Sequence, residues 1–538
     1  MDAACIPCDE QSPSKRAREE SNYFFSRGPN TYRVPAEMHA ESRAKLVQRM
    51  GEVLGEAPGV VLLRGGISEC RNDSDHEKIF RQESYYSYLF GVDEPDWWGM
   101  IELPSGRTTL FMPRLGPEYA VWMGEIKTPN AFRQKYRVDA VRFVDELRAT
   151  VTEAAGPNSI HTLRGTNSDS GVDLATVLPP TEGLPEGRSP CEDVLYETLA
   201  ECRVCKSELE LRLMQYVSWV TSMAHVEVMR DCKVGMLEYQ LEARFLFHAA
   251  YHGGCRHAAY TPICACGPNS AVLHYGHAGA PNDETLRDGT IGLLDMGAEY
   301  HCYCSDITCS YPINGSFTDD QRMVYGAVLD AQRHIFNAIR PGISWAHLHR
   351  LMWRVVLGAL RDGGVLRGDV DEMLAVELGA VFIPCGMGHL IGLDTHDVGG
   401  YLKGCPPRVQ SAGISKLRTA RLLEEGMCLT VEPGCYFIEA LLQPALADPA
   451  RARFLVPDVL ARFRGFGGVR LEDVVAVTAD GIHNYTLCPR TIDEVEGVMA
   501  GAPWPPPRDE APWLHRQWVS LDKAKGEMGP VEVQVVEG

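Results

Sequence analysis

An ionisable side chain inside an apolar β-strand is the feature that most restricts how this chain can fold, because a buried charge is costly unless something compensates it. Asp295 ends the run TIGLLD and shares a strand face with Ile291 and Leu293, and Asp306 follows in CYCSDIT. A hairpin of these two runs brings both carboxylates together. The pair alone leaves two explanations open: a shared cation, or two hydrogen-bonded acids in a turn.

The same pattern recurs farther along the chain. Glu432 in LTVEPG and Glu472 in GVRLEDV each stand among apolar, β-branched residues. With His389 the set becomes four carboxylates and one imidazole, which suits hard or borderline divalent ions and balances the charge of two of them. The sequence therefore predicts a centre of two metal ions, manganese first, with cobalt or zinc as alternatives. Such a pair lowers the pKa of a shared water from about 15.7 toward 7, so hydrolysis is the natural reaction.

The stretch GMGHLIGLDTHDVGGY, residues 386 to 401, places His389 and His396 among five glycines. That much glycine disfavours a stable helix. We expect a turning backbone that carries both imidazoles to one pocket, where bulkier residues would obstruct the approach.

Composition restricts the partners and the setting of the protein. Apolar residues make up 45% of the chain and charged residues 23%, and no apolar run is long enough to span a bilayer. A net charge of −20 opposes binding to nucleic acid or to anionic membranes. The polar N terminus predicts no export signal, and KRAR at 15 to 18 is interpreted as a solvated charge run instead of a nuclear address. We therefore predict a cytoplasmic protein.

Eighteen cysteines are many for such a protein, but their scatter does not resemble a disulfide framework, and we interpret them as reduced thiols. The pairs Cys5/Cys8 and Cys202/Cys205 have the spacing of a zinc knuckle. Each lacks a second pair at a suitable distance, so we interpret the spacing as accidental.

At 538 residues the chain is too long for a single core of ordinary size. We predict a disordered segment at 1–28, an α/β domain at 29–195, an α+β domain with antiparallel hairpins at 196–500, and a proline-rich tail at 501–538 that is poorly ordered or draped on the surface. The first domain combines the helix AEMHAESRAKLVQRMGEVL with the strand GVVLLRG and a mixed sheet of SYYSYLFGV, WWGMIEL and TTLFMPR. Residues 178 to 190 are predicted to form a surface loop.

Two capping boxes begin helices in the second domain, Ser207 with Glu210 and Thr318 with Gln321, and the second of these helices ends before Pro341. Strands are predicted at AVLHYGH, TIGLLDMGAEY, CYCSDITCSY, CLTVEPGCYF and GVRLEDVVAV.

These motifs resemble those of the pita-bread metallopeptidases, the family that includes methionine aminopeptidase. DMG, SDIT, GMGHLIGLDTHDVGG, TVEPG and GVRLED occur in the family's order Asp, Asp, His, Glu, Glu. More narrowly, LHYGHAGAPNDETLRDG, the stretch from HTLRGTNSDSG, and RFRGFGGVRLEDVV are similar to eukaryotic prolidases. The resemblance covers most of residues 30 to 500. It implies an α/β N-terminal domain followed by an α+β pita-bread metallopeptidase domain, manganese, a homodimer, and cleavage of dipeptides that end in proline or hydroxyproline.

The resemblance also implies roles for individual residues. The metal ligands would be Asp295, Asp306, His389, Glu432 and Glu472. Glu432 would double as the proton shuttle. His274 and His396 would face the substrate and donate hydrogen bonds to its carbonyl oxygen or its terminal carboxylate. We interpret the remaining histidines His277, His301 and His483 as surface or satisfied core residues.

Two arginines accompany this set. Arg470 alternates with Glu472 on one strand face, so it would hold a ligating carboxylate or meet the substrate carboxylate, unless it forms a simple ion pair. Arg418, in KLRTAR, matches the position at which prolidases bind the free carboxylate. A cation at that end of the pocket would favour dipeptides over longer chains.

The sequence departs from the family's pattern at Val474, where many relatives carry an acid, and at Leu471, where Ile is common. Trp122, in VWMGEI, is a candidate lid over the neighbouring subunit's site, or a core residue. Two other functions compete: an aminopeptidase P that trims Xaa-Pro from longer peptides, and a non-catalytic pita-bread module that binds peptides or histones. The five candidate ligands favour catalysis.

Overall fold

The computed structural model describes residues 23–55, 57–174 and 184–536. The predicted disordered segment lies outside the described residues up to position 22, as do KRAR, the pair Cys5/Cys8 and positions 178–183 of the predicted loop. Two compact units divide the described part. Unit 1 contains the residues up to Ser26, Arg33–Arg164 and Leu174–Tyr196, and unit 2 contains Arg27–Tyr32, Gly165–Asp173 and the residues from Glu197 onward.

Unit 1 has the predicted α/β class and contains a mixed five-stranded sheet. The order of its strands is Ala140–Phe143, Thr108–Met112, Trp98–Leu103, Gly59–Arg64, Ser159–His161. The outer pairs are parallel and the inner pairs antiparallel. Its helices are Glu37–Leu54, Ser84–Phe90, Tyr119–Met123, Pro129–Tyr136 and Leu147–Ala155, with a 3-10 turn at Val144–Glu146 and a small strand pair Phe24–Phe25 with Val34–Pro35. Val60, Leu62 and Met100 anchor its core against the helix Leu147–Ala155.

The run SYYSYLF, predicted as a strand, is a helix. Glu83 caps it by accepting hydrogen bonds from the amides of Tyr85 and Tyr86, and Gly91 ends it in the left-handed conformation. All seven helical residues are buried. Because every side is covered, the apolar pattern shows no helical period, and aromatic content alone favoured the strand.

Unit 2 has the predicted α+β class, and its hairpins are antiparallel. Three three-stranded sheets are formed by Thr308–Pro312, Ile291–Asp295 and Ile263–Cys266; by Tyr303–Cys304, Ala298–Tyr300 and His257–Ala258; and by Cys428–Val431, Asp473–Val477 and Ile482–Asn484. Gly434–Tyr436 pairs with Gly468–Arg470, Val519–Asp522 with Glu527–Pro530, and Arg508–Asp509, in parallel, with Gln534–Val535.

The helices of unit 2 surround these sheets. They are Glu208–Asp231, Glu238–Gly253, Asp319–Ala338, Trp345–Asp362, Val370–Ala375, Gly379–Phe382, Glu439–Ala447, Pro449–Ala452, Pro457–Leu460 and Ile492–Met499, with 3-10 turns at Gly267–Ala271, Ile414–Lys416, Ala461–Phe463 and Pro512–Leu514. The helix Leu195–Val204 begins in unit 1 and continues into unit 2. Both predicted capping boxes are present, at Ser207 and at Thr318.

The predicted strand AVLHYGH is a series of turns. The 3-10 turn Gly267–Ala271 leads into it, and the amide of Tyr275 donates to the carbonyl of Val272. Gly276 then adopts a φ of +88°, which a strand does not allow. Its alternating side chains mimicked a strand, but no partner strand accompanies it among the described residues.

The C-terminal segment is not loosely attached. Arg516 is buried and forms ion pairs with Asp509 and with Glu494 of the helix Ile492–Met499. Its guanidinium also lies over the rings of Trp504 and Trp518, at 5.6 and 4.8 Å from their centroids. The expectation of poor order fails because the prolines alternate with aromatic residues that pack.

No helix in the described ranges combines the length and apolar composition needed to span a bilayer.

The departures from the family's pattern lie in the core, because Leu471 and Val474 are fully buried. Cys264, Cys428 and Cys435 are buried free thiols, which agrees with the prediction of reduced cysteines.

Candidate active site

Strand register brings the first two acids together. Asp295 is the residue paired with Thr308 in the antiparallel ladder, and Asp306 precedes Thr308 by two positions. Alternate residues of a strand point the same way, so the two carboxylates share a face at the open end of the hairpin. Both are buried.

The two glutamates come from a second hairpin. Val431 pairs with Asp473, which places Glu432 and Glu472 side by side at the end of that ladder. The amide of Glu472 donates to the carbonyl of Thr308 at 3.1 Å, and this bond joins the two hairpins.

His389 reaches the same point from the glycine-rich stretch. Its carbonyl accepts from the amide of Thr430 at 2.9 Å, and its amide donates to the Thr430 hydroxyl at 3.0 Å. The preceding Gly388 has a φ of +151°, and a side chain there would collide with the Thr430 carbonyl. This position therefore requires glycine, as we expected for a backbone that approaches closely.

The tautomer of His389 follows from its surroundings. Nδ1 lies 3.0 Å from the carbonyl oxygen of Leu390, so Nδ1 carries the hydrogen and donates it. Nε2 then faces the acids, at 3.3 Å from Oδ2 of Asp306 and 3.6 Å from Oε1 of Glu432. In the metal-free protein this nitrogen donates to Asp306, which raises the pKa of His389 despite burial; once deprotonated, Nε2 would offer its lone pair to a metal ion.

Three potential ligands converge most closely. One atom from each of Asp306, His389 and Glu472 lies within 4.8 Å of the others, and all three residues are buried. Asp295 lies at the edge of this group, with one oxygen 2.5 Å from the Tyr260 hydroxyl and the other 2.5 Å from Arg470.

Arg470 organises the acids from behind. Its NH2 group donates to Asp295, its Nε to the Thr308 hydroxyl at 3.0 Å, and its NH1 to the Tyr436 hydroxyl at 2.9 Å. The Thr308 hydroxyl in turn donates to Glu472 at 2.7 Å. Arg470 therefore forms an ion pair with a candidate ligand and also lines the cavity.

The site carries more negative charge than its own cations compensate. Burial raises the pKa of Asp295 to about 6, although Arg470 opposes the shift, and burial raises the pKa of Glu432 to about 7. Burial and the neighbouring acids hold the pKa of Glu472 well above its ordinary value. Burial acts most strongly on Asp306, but the hydrogen bond and charge of His389 and the hydrogen bond from Tyr260 together outweigh it and lower the pKa of that carboxyl. Crowded, buried oxygen donors of this kind fit divalent cations.

The other acids of the glycine-rich stretch serve the fold. Asp397 forms buried ion pairs with Arg203 at 2.6 Å and Lys206 at 2.9 Å. Asp394 also reaches Arg203, at 2.7 Å, but its side chain is 39% exposed. These contacts hold the backbone between His389 and His396.

A cavity of about 1010 Å³ opens in front of the acids. Its wall includes His274, His396, Arg418 and His277. His277, predicted to be a surface or satisfied core residue, is exposed at the cavity wall. The ring of His396 stands edge-on to that of His389, with centroids 4.6 Å apart.

Both predicted substrate-facing histidines have lowered pKa values. Burial and the charges of His389 and Arg418 lower the pKa of His396 to about 3. Burial and the two cations Arg470 and Arg418 lower the pKa of His274. Neutral imidazoles at the cavity wall can each donate one hydrogen bond without adding charge.

The sequence reasoning missed several polar residues of the site. Tyr260 and Thr308 bond to candidate ligands, and Asp169 and Arg408 accompany Arg418 at the far end of the cavity. The alternation of Thr308 with Asp306 on one strand was a usable signal. Nothing near Asp169 in the sequence indicates its contact with residues 239 and 249 positions away.

The remaining candidates are accounted for individually. His483 is exposed, and His301 lies in the turn between the strands Ala298–Tyr300 and Tyr303–Cys304. Trp122, on the helix Tyr119–Met123, is 83% exposed, which rules out the core alternative for this side chain within unit 1.

Comparison with known proteins agrees with this arrangement. The model of "Metallopeptidase family M24" matches residues 212–479, and that of "Aminopeptidase P, N-terminal domain" matches residues 39–163. The chain is 48% identical over 481 residues to the Xaa-Pro dipeptidase of Homo sapiens, covering 89% of this chain and 96% of the human protein. A probable Xaa-Pro aminopeptidase of Verticillium alfalfae is 34% identical over 471 residues, with 87% and 98% covered.

Solved structures show the same architecture. The aminopeptidase PepP of Pseudomonas aeruginosa superposes with a TM-score of 0.70 at 30% identity, covering 87% of this chain and 98% of that one. Zn-substituted Escherichia coli aminopeptidase P in complex with product gives 0.69 at 28% identity, with 87% and 99% covered. The predicted order of an α/β domain and a pita-bread metallopeptidase domain is confirmed. This chain belongs to metallopeptidase family M24.

Proposed function

We propose that this protein is a prolidase, which hydrolyses the imido bond of dipeptides that end in proline or hydroxyproline. The observation that carries the proposal is the 48% identity to the human Xaa-Pro dipeptidase over 96% of that protein. The relatives described as aminopeptidases are more distant, at 34% identity for the Verticillium protein. A cation at the far end of the cavity, Arg418, agrees with a substrate whose carboxylate follows the proline directly.

The residues fit a pair of divalent metal ions, which we propose are manganese. The ions would be held by Asp295, Asp306, His389, Glu432 and Glu472. When bound, they would supply Lewis-acid polarisation of the scissile carbonyl and activation of a water molecule. The raised pKa values of Asp295 and Glu432 support this assignment, because they mark carboxylates that lack compensating positive charge. Manganese is preferred because four of the five donors are hard oxygen ligands.

Glu432 would be the acid–base residue. Its carboxylate lines the cavity and would accept a proton from the attacking water and release it to the proline nitrogen. Its neighbour His389 is fixed by the bond to Leu390, which limits the movement of the pair during transfer.

His396 and His274 would stabilise the developing oxyanion. Each is neutral and lines the cavity, so each can donate through one ring N–H as charge grows on the carbonyl oxygen. Arg418 would bind the substrate carboxylate, for which a planar guanidinium offers two parallel donors.

A substrate panel tests this function. The purified protein, supplied with manganese, would be assayed on Gly-Pro, on Gly-Pro-Gly and on Gly-Pro amide. A prolidase turns over the dipeptide acid and discriminates against the other two. Preference for Gly-Pro-Gly would indicate an aminopeptidase P instead. Absence of turnover with manganese, cobalt and zinc, together with no metal in the purified protein, would favour a non-catalytic binding module.

We also propose a cytoplasmic homodimer in which Trp122 covers the neighbouring subunit's site. Val121, Trp122 and Met123 support this, since their side chains are 78, 83 and 59% exposed and would be covered in a dimer. Sedimentation of the wild type and of Trp122→Ala, with KM for Gly-Pro as a second measurement, tests both parts. A monomeric wild type, or an unchanged KM in the variant, would contradict them.

A further inference from the structure

Asp169 joins two arginines at the far end of the cavity. Its Oδ1 lies 3.1 Å from NH2 of Arg408, and its Oδ2 lies 3.3 Å from NH1 of Arg418. The Asp169 side chain is 15% exposed, and the guanidinium groups are 29% and 30% exposed. One carboxylate therefore bridges the proposed substrate cation and a second cation.

The segment that carries Asp169 is constrained by its own hydrogen bonds. The side-chain oxygen of Asn167 accepts from the amides of Asp169 and Ser170, each at 2.9 Å. Thr166 and Asp173 close the segment with a β-bridge. The carbonyl of Ser168 also accepts from Arg408, at 3.4 Å. A small closed turn thus presents the Asp169 carboxylate to the arginines in a fixed direction.

Arg408, which Asp169 binds, also forms hydrogen bonds to the backbone next to Arg418. Its NH1 group donates to the carbonyl of Leu417 at 2.5 Å and to that of Ser415 at 3.3 Å. Its guanidinium lies over the ring of Tyr401, 4.2 Å from the centroid, and the Tyr401 hydroxyl donates to the same Leu417 carbonyl at 2.8 Å. The carbonyl of Leu417, the residue before Arg418, therefore accepts hydrogen bonds from two side chains. One of these donors, Arg408, is itself bound by Asp169.

The charges at this end of the cavity favour an incoming carboxylate. The two guanidinium groups and the Asp169 carboxylate together leave a single positive charge, and Lys416 adds a second cation to the cavity wall. Asp169 meets Arg418 through NH1, so the edge formed by NH2 and Nε stays available for two parallel bonds to another carboxylate. Asp169 and a substrate carboxylate can therefore occupy Arg418 together.

We infer that Asp169 is a positioning residue for the dipeptidase reaction: it holds Arg418 in the wall of the cavity that also contains the acids, and so sets the preference for a free carboxylate. This inference rests on the proposed prolidase function. Loss of Asp169 has two opposing effects on substrate binding. The added positive charge would attract the carboxylate, while the freed Arg418 would have to be ordered on binding. The ordering effect is larger, because the cavity is open to water, which screens charge, and an arginine side chain has many rotamers.

The experiment compares Asp169→Asn with wild type on Gly-Pro and on Gly-Pro amide. KM for Gly-Pro should rise about tenfold, a difference of about 1.4 kcal/mol, while kcat changes less than about twofold. KM for the amide, which has no carboxylate to bind, should stay unchanged. Asp169→Glu, which keeps the charge, should recover part of the discrimination between acid and amide. Asp458→Asn, which changes an exposed acid outside the cavity wall, is the charge-matched control and should behave as wild type.

A double-mutant comparison establishes that Asp169 acts through Arg418. On an Arg418→Gln background, Asp169→Asn should add little to the KM for Gly-Pro, because the group that it positions is gone. Equal losses on acid and amide, additive effects in the double variant, or a KM that stays or falls in Asp169→Asn would each overturn the inference while wild-type prolidase activity stands. A wild type that hydrolyses neither substrate would refute the proposed function, and the inference with it.

Discussion

Nζ of Lys206 lies 2.9 Å from Oδ2 of Asp397, and each of these side chains is 1% exposed. Arg203 binds the other oxygen of the same carboxylate at 2.6 Å. Burial opposes the charge on Asp397, but the two cations outweigh it and lower the pKa of that carboxyl. The backbone that carries His389 and His396 is thus held by buried charges that depend on one another.

Replacing Asp397 with Asn should leave two cations buried without their partner. Breaking a buried ion pair from one side typically costs about 3–5 kcal/mol. We expect the free energy of unfolding, measured by urea denaturation, to fall by that amount. Asp394→Asn is the matched control, because Asp394 binds the same Arg203 but is 39% exposed, and such pairs contribute about 0–1 kcal/mol. Equal effects of the two variants would contradict the structural role of Asp397.

Asp295→Asn should abolish turnover, because an amide cannot supply the negative charge that two metal ions share. We expect kcat/KM for Gly-Pro to fall more than about 100-fold, since residues behind metal ligands already cost about 10–100-fold. Metal content by mass spectrometry should fall with it. Asp288→Asn, an exposed substitution on the loop before the same strand, should change neither. Full metal content with retained turnover in Asp295→Asn would refute the ligand role.

Arg418→Ala should remove the preference for dipeptides. A hydrogen bond to a charged group contributes about 1.5–3 kcal/mol, so KM for Gly-Pro should rise about 10- to 100-fold. Turnover of Gly-Pro-Gly should change less, because its proline carboxyl is already an amide. Lys416→Ala, which removes another cation of the cavity wall, is the control. An unchanged ratio of dipeptide to tripeptide turnover would show that another residue recognises the carboxylate.

The metal-free protein should lose stability as the pH rises. Burial raises the pKa of Glu432 from 4.5 to about 7 and that of Asp295 from 3.8 to about 6. The folded state then binds more protons than the unfolded state between these values, so the free energy of unfolding falls as the pH rises from about 4 through about 7. Calorimetry of chelator-treated protein at several pH values measures this slope.

Glu432→Gln supplies the comparison for that slope, since it removes one of the carboxyl groups whose pKa is raised. The variant should show a shallower decline over the same interval. Metal-loaded wild type should not show the decline at all, because the cations keep the carboxylates ionised. The assignment would be contradicted if the free energy of unfolding of the metal-free wild type rose more between about pH 5 and 7 than that of Glu432→Gln.

Much of the fold was predictable from local signals. The capping boxes at Ser207 and Thr318 and the alternating pattern around Asp295 and Asp306 depend on neighbouring residues, and each of these signals is reproduced in the structure. The helix Ser84–Phe90 was missed because burial on all sides removes the periodicity that separates helix from strand. The tail was predicted to be poorly ordered or draped on the surface, and its contacts depend on Glu494 and other residues outside it, which local sequence signals do not indicate.

The candidate site was predictable only where one residue type implies one chemistry. Acids in apolar strands indicated cations from the sequence alone. By contrast, Asp169 looks like an ordinary polar loop residue, and its importance comes from Arg408 and Arg418, more than 200 positions away. The contact of Tyr260 with Asp295 could not be predicted either, since a tyrosine near a strand is far more often a packing residue than a partner of a carboxylate.

The buried Arg516 has a consequence for any shortened form of this protein. It ties this segment to Glu494 and lies over two tryptophan rings, so a chain cut after residue 500 would leave an acid without its counterion and uncover apolar surface near the strand Ile482–Asn484. Truncation there would yield an aggregation-prone enzyme, whereas the strand Gln534–Val535 is exposed and tolerates changes that the buried Arg516 does not.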